Sequence, residues 1–244
     1  MGAQGGRAGG RRPRLLLLLG LHALGGAAAA AAAGAGPVSG GRWEPGAGGP
    51  MLLGVNMHKL RPSKGEAEQM GAAFGLVRYD CSWAATEPAP GAYNFTAYED
   101  LVEQLADQGM RALLLLAYNN PHAPGCGNST HSGVRTAACV EAYARWAVAA
   151  MGHFEGFGEP QPVWELWNEP TEDVFWNPHP NATEYARLAL AVDRARAAAG
   201  LKATTTLIGP AASWAGGSVW NFLRQLAEAG VFAAGVYDAV SVHP

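Results

Sequence analysis

The sequence predicts an α/β fold, an incomplete TIM (β/α)8 barrel with about six β/α units present, and three observations carry that prediction. Apolar runs alternate with helix-periodic stretches along the chain from residue 51 onward. The runs begin near residues 51, 76, 112, 163, 204 and 237, a spacing of roughly 37 residues per unit. Between the first two, Gly54 to Lys59 lacks the glycine-rich phosphate loop that a doubly wound open sheet normally shows, so the barrel is favoured over that alternative.

The elements follow in order. Met51 to Met57 is the first strand, and Ser63 to Phe74 a helix with one polar face. Leu76 to Trp83 is the second strand. The next helix runs from Tyr98 to Asp107, with Tyr98, Leu101, Val102 and Leu105 on one face and Gly109 as its stop. Ala112 to Tyr118 is unbroken apolar sequence, as suits a parallel strand covered on both faces. A helix from Ala137 to Phe154 leads to the fourth strand, Val163 to Trp167. Asn181 with Glu184 has capping-box spacing, and Tyr185, Leu188 and Val192 form the buried face of the helix it starts. Thr204 to Ile208 and Tyr237 to Val242 are the fifth and sixth strands, separated by a helix from Trp220 to Ala229. The six units occupy residues 51–244 and form one partial barrel domain.

Ahead of them, residues 1–35 have the pattern of a signal peptide. Arg11, Arg12 and Arg14 precede the apolar run Leu15 to Leu19, and small residues follow up to Ala33-Gly34-Ala35. An uncleaved anchor is the competing reading, but Gly20, His22, Gly25 and Gly26 interrupt the run. Residues 36–50 are a flexible Gly/Pro-rich lead-in. The formal net charge of -3 gives no case for nucleic acid as a partner, and no stable membrane partner is expected. Export to the secreted or luminal space makes a disulfide between Cys126 and Cys139 expected, pinning a Gly/Asn/Ser/Thr-rich loop, with Cys81 a buried thiol. Asn94, Asn128 and Asn181 each open an N-x-[ST] acceptor triplet for glycosylation. The cysteine spacings do not suit a metal, and no cofactor is implied.

In parallel barrels reactive residues gather where strands end. Those positions hold Asn56 and His58; Arg78, Asp80 and Trp83; Tyr118, Asn119 and Asn120; Asn168 and Glu169; Ser213 and Trp214; and His243. Amides, a carboxylate, an imidazole and aromatic faces around one rim suit an oligo- or polysaccharide. Hydroxyls pair with the polar groups, and the C–H face of the sugar lies on the rings. His243, Tyr118, Asn119, Trp83, Trp176 and Trp214 are the candidate sugar contacts. Glu169 is the sharpest catalytic candidate, because glycoside cleavage needs a carboxylic acid to protonate the departing oxygen. Its alternative is a turn residue supporting a helix N-terminus.

The segment Val163-Trp-Glu-Leu-Trp-Asn-Glu-Pro170 resembles the fourth-strand signature of clan A glycoside hydrolases. Val77-Arg-Tyr-Asp80, Glu87 to Phe95, Phe175-Trp176, Ile208-Gly-Pro-Ala211 and Asp238 to Pro244 follow in the same enzymes' order. The resemblance is greatest to the β-xylosidase/α-L-iduronidase family and the neighbouring cellulase family. It implies a retaining O-glycosyl hydrolase in which Glu169 is the acid/base, Asn168 binds the hydroxyl beside the reacting carbon, and Arg78 bonds the nucleophile. Arg78 has a second reading, an interior arginine paired with Glu165. In that clan the nucleophile ends strand 7, and the sequence stops at Pro244 after strand 6, so the resemblance assigns no nucleophile here. Glu87 and Glu172 are carboxylates in nearby loops, with nothing that promotes either to the role. The 244-residue fragment is therefore expected to be inactive and poorly soluble. The alternatives are a catalytically inactive carbohydrate-binding barrel and a metal-dependent barrel hydrolase, the latter opposed by the missing His/Asp cluster.

Overall fold

In a computed structural model, residues 14–17, 52–58, 61–157, 159–214 and 219–243 are described, with only the backbone for 14–17. Seven strands pair in parallel: β1 (Arg14–Leu17), β2 (Gly54–Asn56), β3 (Leu76–Ser82), β4 (Arg111–Ala117), β5 (Val163–Leu166), β6 (Thr206–Ser213) and β7 (Ala239–His243). Their order in the sheet is β1-β7-β6-β5-β4-β3-β2. From β2 to β7 spatial and chain order agree, each strand reached from the last through a helical crossover, so the sheet curls as an incomplete α/β barrel.

The helices are α1 (Lys64–Gly71), α2 (Trp83–Thr86), α3 (Thr96–Ala106), α4 (Ala137–His153), α5 (Ala182–Ala198) and α6 (Val219–Glu228). Ser63 starts α1 through a complete capping box with Glu66. Asn181 caps α5 by accepting from the Glu184 N–H at 3.0 Å. The other half of the expected box is replaced, because the Glu184 carboxylate accepts from Arg135 and from the Trp176 indole.

Two departures from the sequence reading matter. Trp83 belongs to α2 rather than to the strand before it, since Ser82 caps that short helix by accepting from Ala85 N–H. The fifth predicted strand, Thr204 to Ile208, instead starts at Thr206 and runs on to Ser213, through a register shift between Pro210 and Ala212. In addition, four residues of the expected leader form β1, in register with Ala239 to Val242. Residues 1–13 and 18–50, which hold the rest of that leader and the whole lead-in, lie outside the described residues.

The two faces of the sheet are built differently. Val77, Tyr79, Cys81, Leu114, Leu116, Trp164 and Leu166 face the helices and join one large apolar core with α3, α4 and α5. Leu76, Leu113, Val163, Ile208 and Ala239 form a separate, smaller cluster, the apolar floor of the curl. Two residues further along the same faces lie Arg78, Glu165 and Ser241, and beyond them Asp80 and His243. The interior therefore passes from apolar to ionic on its way to the C-terminal rim.

Candidate active site

The site is built on the turn after β5. Trp167 and Glu169 both take left-handed backbone, with φ of 64° and 43°, and Ala211 opposite has φ 54°. For residues with a Cβ this costs about 1–3 kcal/mol each, and such strain gathers at functional sites. The Glu169 N–H donates to the Ala211 carbonyl at 3.0 Å, locking the strained turn onto β6. Thr171 fastens it again, accepting from the Ser213 N–H at 2.9 Å. The sequence reading carries the fourth strand to Trp167. Instead the strand ends at Leu166. Trp167 drops fully into the core against Tyr118, Tyr143 and Trp176, while Glu169 stays at the rim with its side chain 25% exposed.

Beneath it lies a buried ionic layer. Arg78 Nε donates to Glu165 Oε2 at 2.7 Å, one terminal nitrogen donates to Asn168 Oδ1 at 2.8 Å, and the other to Asn56 Oδ1 at 3.3 Å. One guanidinium thus ties β2, β3, β5 and the strained turn together. Glu165 is completely buried. Burial alone would raise its pKa, but the Arg78 charge, aided by His243, holds it down at about 2. Arg78 is in turn held above its ordinary value: burial works against its charge, and Glu165 more than offsets that.

His243, at the end of β7, joins the two glutamates. Its Nδ1 lies 2.8 Å from Glu169 Oε1, and its Nε2 3.6 Å from Glu165 Oε1. Burial favours the neutral ring, yet Glu165 and Glu169 together raise its pKa to about 9. Asp80 sits half-buried nearby on β3; burial raises its pKa, opposed by Arg78 and His58. Tyr118 stands partly exposed at the rim, its ring stacked on Phe175 (5.9 Å, 7°) and tilted against His131 (4.8 Å).

Not every residue singled out in the sequence reaches this site. Trp83 is fully buried behind the sheet, stacked on Trp146 at 5.7 Å, so it is no sugar platform. Its parity with Val77, Tyr79 and Cys81 was the available signal. Trp176 is also fully buried, its indole donating to Glu184. Asn119 is buried as well, its side chain donating to the Ser132 carbonyl and accepting from Asn120 N–H, which shapes the loop rather than the rim. Glu87 is closed off, with one oxygen accepting from the Trp83 indole and the other from Gly91 N–H. Trp214 does remain 40% exposed, at the end of β6, with its N–H on the His243 carbonyl. The Cys126–Cys139 disulfide is formed and Cys81 is a buried thiol. Asn94, Asn128 and Asn181 are all exposed. Among the described residues no His/Cys/Asp/Glu group could hold a metal ion, and no helix is long and apolar enough to cross a membrane.

The same fold recurs in solved structures. A monomeric beta-xylosidase from Caulobacter crescentus CB15 superposes with a TM-score of 0.60 at 19% identity, over 79% of this chain and 41% of that one. A family 39 glycoside hydrolase from the gut symbiont Bacteroides cellulosilyticus WH2 gives 0.58 at 22%, over 78% and 37%. Xylanase 10B from Thermotoga petrophila RKU-1, solved with xylobiose, gives 0.54 at 16%, over 78% and 59%. The chain has the fold of these glycoside hydrolases. They belong to clan A, the group its motifs resemble. It spans less than half the length of the first two and about three fifths of the third. Neither a family model nor a curated protein sequence matches it.

Proposed function

We propose that this chain is the larger part of the barrel of a retaining glycoside hydrolase, with Glu169 as its acid/base. The observation that supports this best is the strained turn that holds Glu169 at the rim while Arg78 and Asn168 are locked together just below it. In this reading Glu169 protonates the glycosidic oxygen as the bond to the sugar breaks, then takes a proton from the water that releases the sugar. Asn168 offers its amide nitrogen to the hydroxyl beside the reacting carbon. Arg78, fixed by Glu165, supplies positive charge where the nucleophilic carboxylate stands. Tyr118 and Trp214 are the rim rings against which a sugar packs. The substrate is an oligosaccharide, polysaccharide or glycoconjugate.

We also read the protein as exported, its N-terminal 35 residues as a signal peptide, and Asn94, Asn128 and Asn181 as glycosylation acceptors. The disulfide and the exposure of all three asparagines support this.

The test is hydrolysis of a panel of aryl glycosides by the full-length gene product. Glu169→Gln is expected to abolish most turnover of substrates with poor leaving groups, and to affect activated ones less. Binding of oligosaccharides without turnover in the wild-type protein would instead select the inactive carbohydrate-binding barrel.

A further inference from the structure

Glu165 has a feature that its ion pair with Arg78 does not account for. The Arg78 bond occupies Oε2, whereas Oε1 is fully buried and has no hydrogen-bond partner. A buried carboxylate with one bare oxygen is costly unless a charge or donor faces it. What faces it is His243 Nε2, at 3.6 Å, too far for a hydrogen bond but close for an ion pair. The other ring nitrogen, Nδ1, lies 2.8 Å from Glu169 Oε1. The two ring nitrogens thus face two different carboxylates, one sealed and one at the rim.

We infer that the proton donor of this site is the Glu169–His243 pair, and that Glu165 is the positioning residue that fixes it by keeping a proton on His243 Nε2. With Nε2–H committed to Glu165, the remaining ring position, Nδ1, exchanges its proton with Glu169. The pair then holds one mobile proton, written either as Nδ1–H against a carboxylate or as Nδ1 accepting from a carboxylic acid. In the first half-reaction that proton passes from Glu169 to the glycosidic oxygen. The bond from that oxygen to the anomeric carbon breaks, its electrons stay on the oxygen, and the sugar is taken by a second carboxylate as a glycosyl ester. In the second half-reaction water attacks the anomeric carbon, the ester carboxylate leaves, and the proton lost by water returns to the pair. Glu165 touches no substrate; it keeps the imidazole basic, so that the pair retains its proton at neutral pH.

The charges around the ring agree with this. Glu165 from β5 and Glu169 from the following turn favour the protonated ring, and Arg78 from β3 opposes it. β6 carries no ionisable side chain, and meets β7 here through the Trp214 N–H on the His243 carbonyl.

The donor role rests on Glu169 being the acid/base, which the hydrolysis assay tests separately. The pair itself is tested by nitrogen-15 NMR of histidine-labelled 244-residue chain, with the His243 signal assigned by its loss in His243→Asn. The ring should titrate near pH 9, with Nε2 protonated throughout. Glu165→Gln should move that titration down by about one pH unit or more, and Glu169→Gln should lower it while leaving Nε2 protonated. A wild-type His243 that titrates near its ordinary 6.5 would overturn the inference without any variant. So would a Glu165→Gln protein that folds and leaves the titration unmoved. In the full-length gene product the alkaline limb of kcat/KM should fall to lower pH in Glu165→Gln, a displacement that simple loosening of the fold would not produce.

Discussion

Two turns in this molecule begin from similar material and end differently. After β3 come Trp83 and Glu87; after β5 come Trp167 and Glu169. In both, the tryptophan is completely buried. The first glutamate has both carboxylate oxygens bound within its own turn, by the Trp83 indole and the Gly91 N–H, and is only 7% exposed. The second has no backbone N–H on its carboxylate among the described residues; it rests on His243 alone and is carried on left-handed backbone. A glutamate whose oxygens are already satisfied holds a loop together. One whose oxygens are left to a single titratable neighbour at a strained position is available for chemistry.

The largest effect that would sharpen this contrast is on catalysis. Glu169→Ala should lower the activity of the full-length gene product by about 10²–10⁴-fold, and leave thermal stability close to wild type. Trp83→Ala should do the reverse. Emptying a fully buried indole site should cost about 3–5 kcal/mol in denaturant unfolding, with no specific change in KM of the folded fraction. Glu87→Ala should cost about 1–3 kcal/mol by stranding a buried indole N–H and the Gly91 N–H. A Glu87→Ala protein of normal stability but without activity would break the comparison.

Smaller effects concern pH. Glu165 is held at about 2 against an ordinary value of 4.5. The stability it contributes is therefore present above pH 4.5 and is lost as pH falls through about 2. His243 is raised from 6.5 to about 9, so its contribution is complete below pH 6.5 and is lost as pH rises through about 9. Urea unfolding across pH should show a plateau between those limits, and Glu165→Gln should be less stable on that plateau and flatten its acid side. The smallest expected change is Trp214→Ala: at a 40% exposed ring, stability should move by only about 0.5 kcal/mol, while KM for oligosaccharides rises.

Much of this was legible in the sequence because parallel strands buried on both faces leave a strong mark. The run Ala112 to Tyr118 and the alternation of units at a mean of roughly 37 residues placed the sheet correctly. The turn that carries Glu169 was legible through Trp-Asn-Glu-Pro, and the Arg78–Glu165 pair as the second reading of Arg78. What could not be read were features set by long-range geometry. The left-handed φ at Trp167 and Glu169 has no glycine to announce it, so the strand looked longer than it is. The extension of β6 through Gly209-Pro210-Ala211 depends on a register shift against β7. Asn119 and Trp176 look like rim residues by position alone; only the packing of the 119–133 loop and of α5 shows that their polar atoms are already bonded.

The most direct measurement of the central claim is azide rescue of Glu169→Ala in the full-length gene product, using aryl glycosides with activated leaving groups. A small anion entering the space left by the acid/base should restore turnover and yield a glycosyl azide of the same anomeric configuration as the substrate. Wild-type activity in Glu169→Ala, or a lost activity that azide does not restore, would contradict Glu169 as the acid/base.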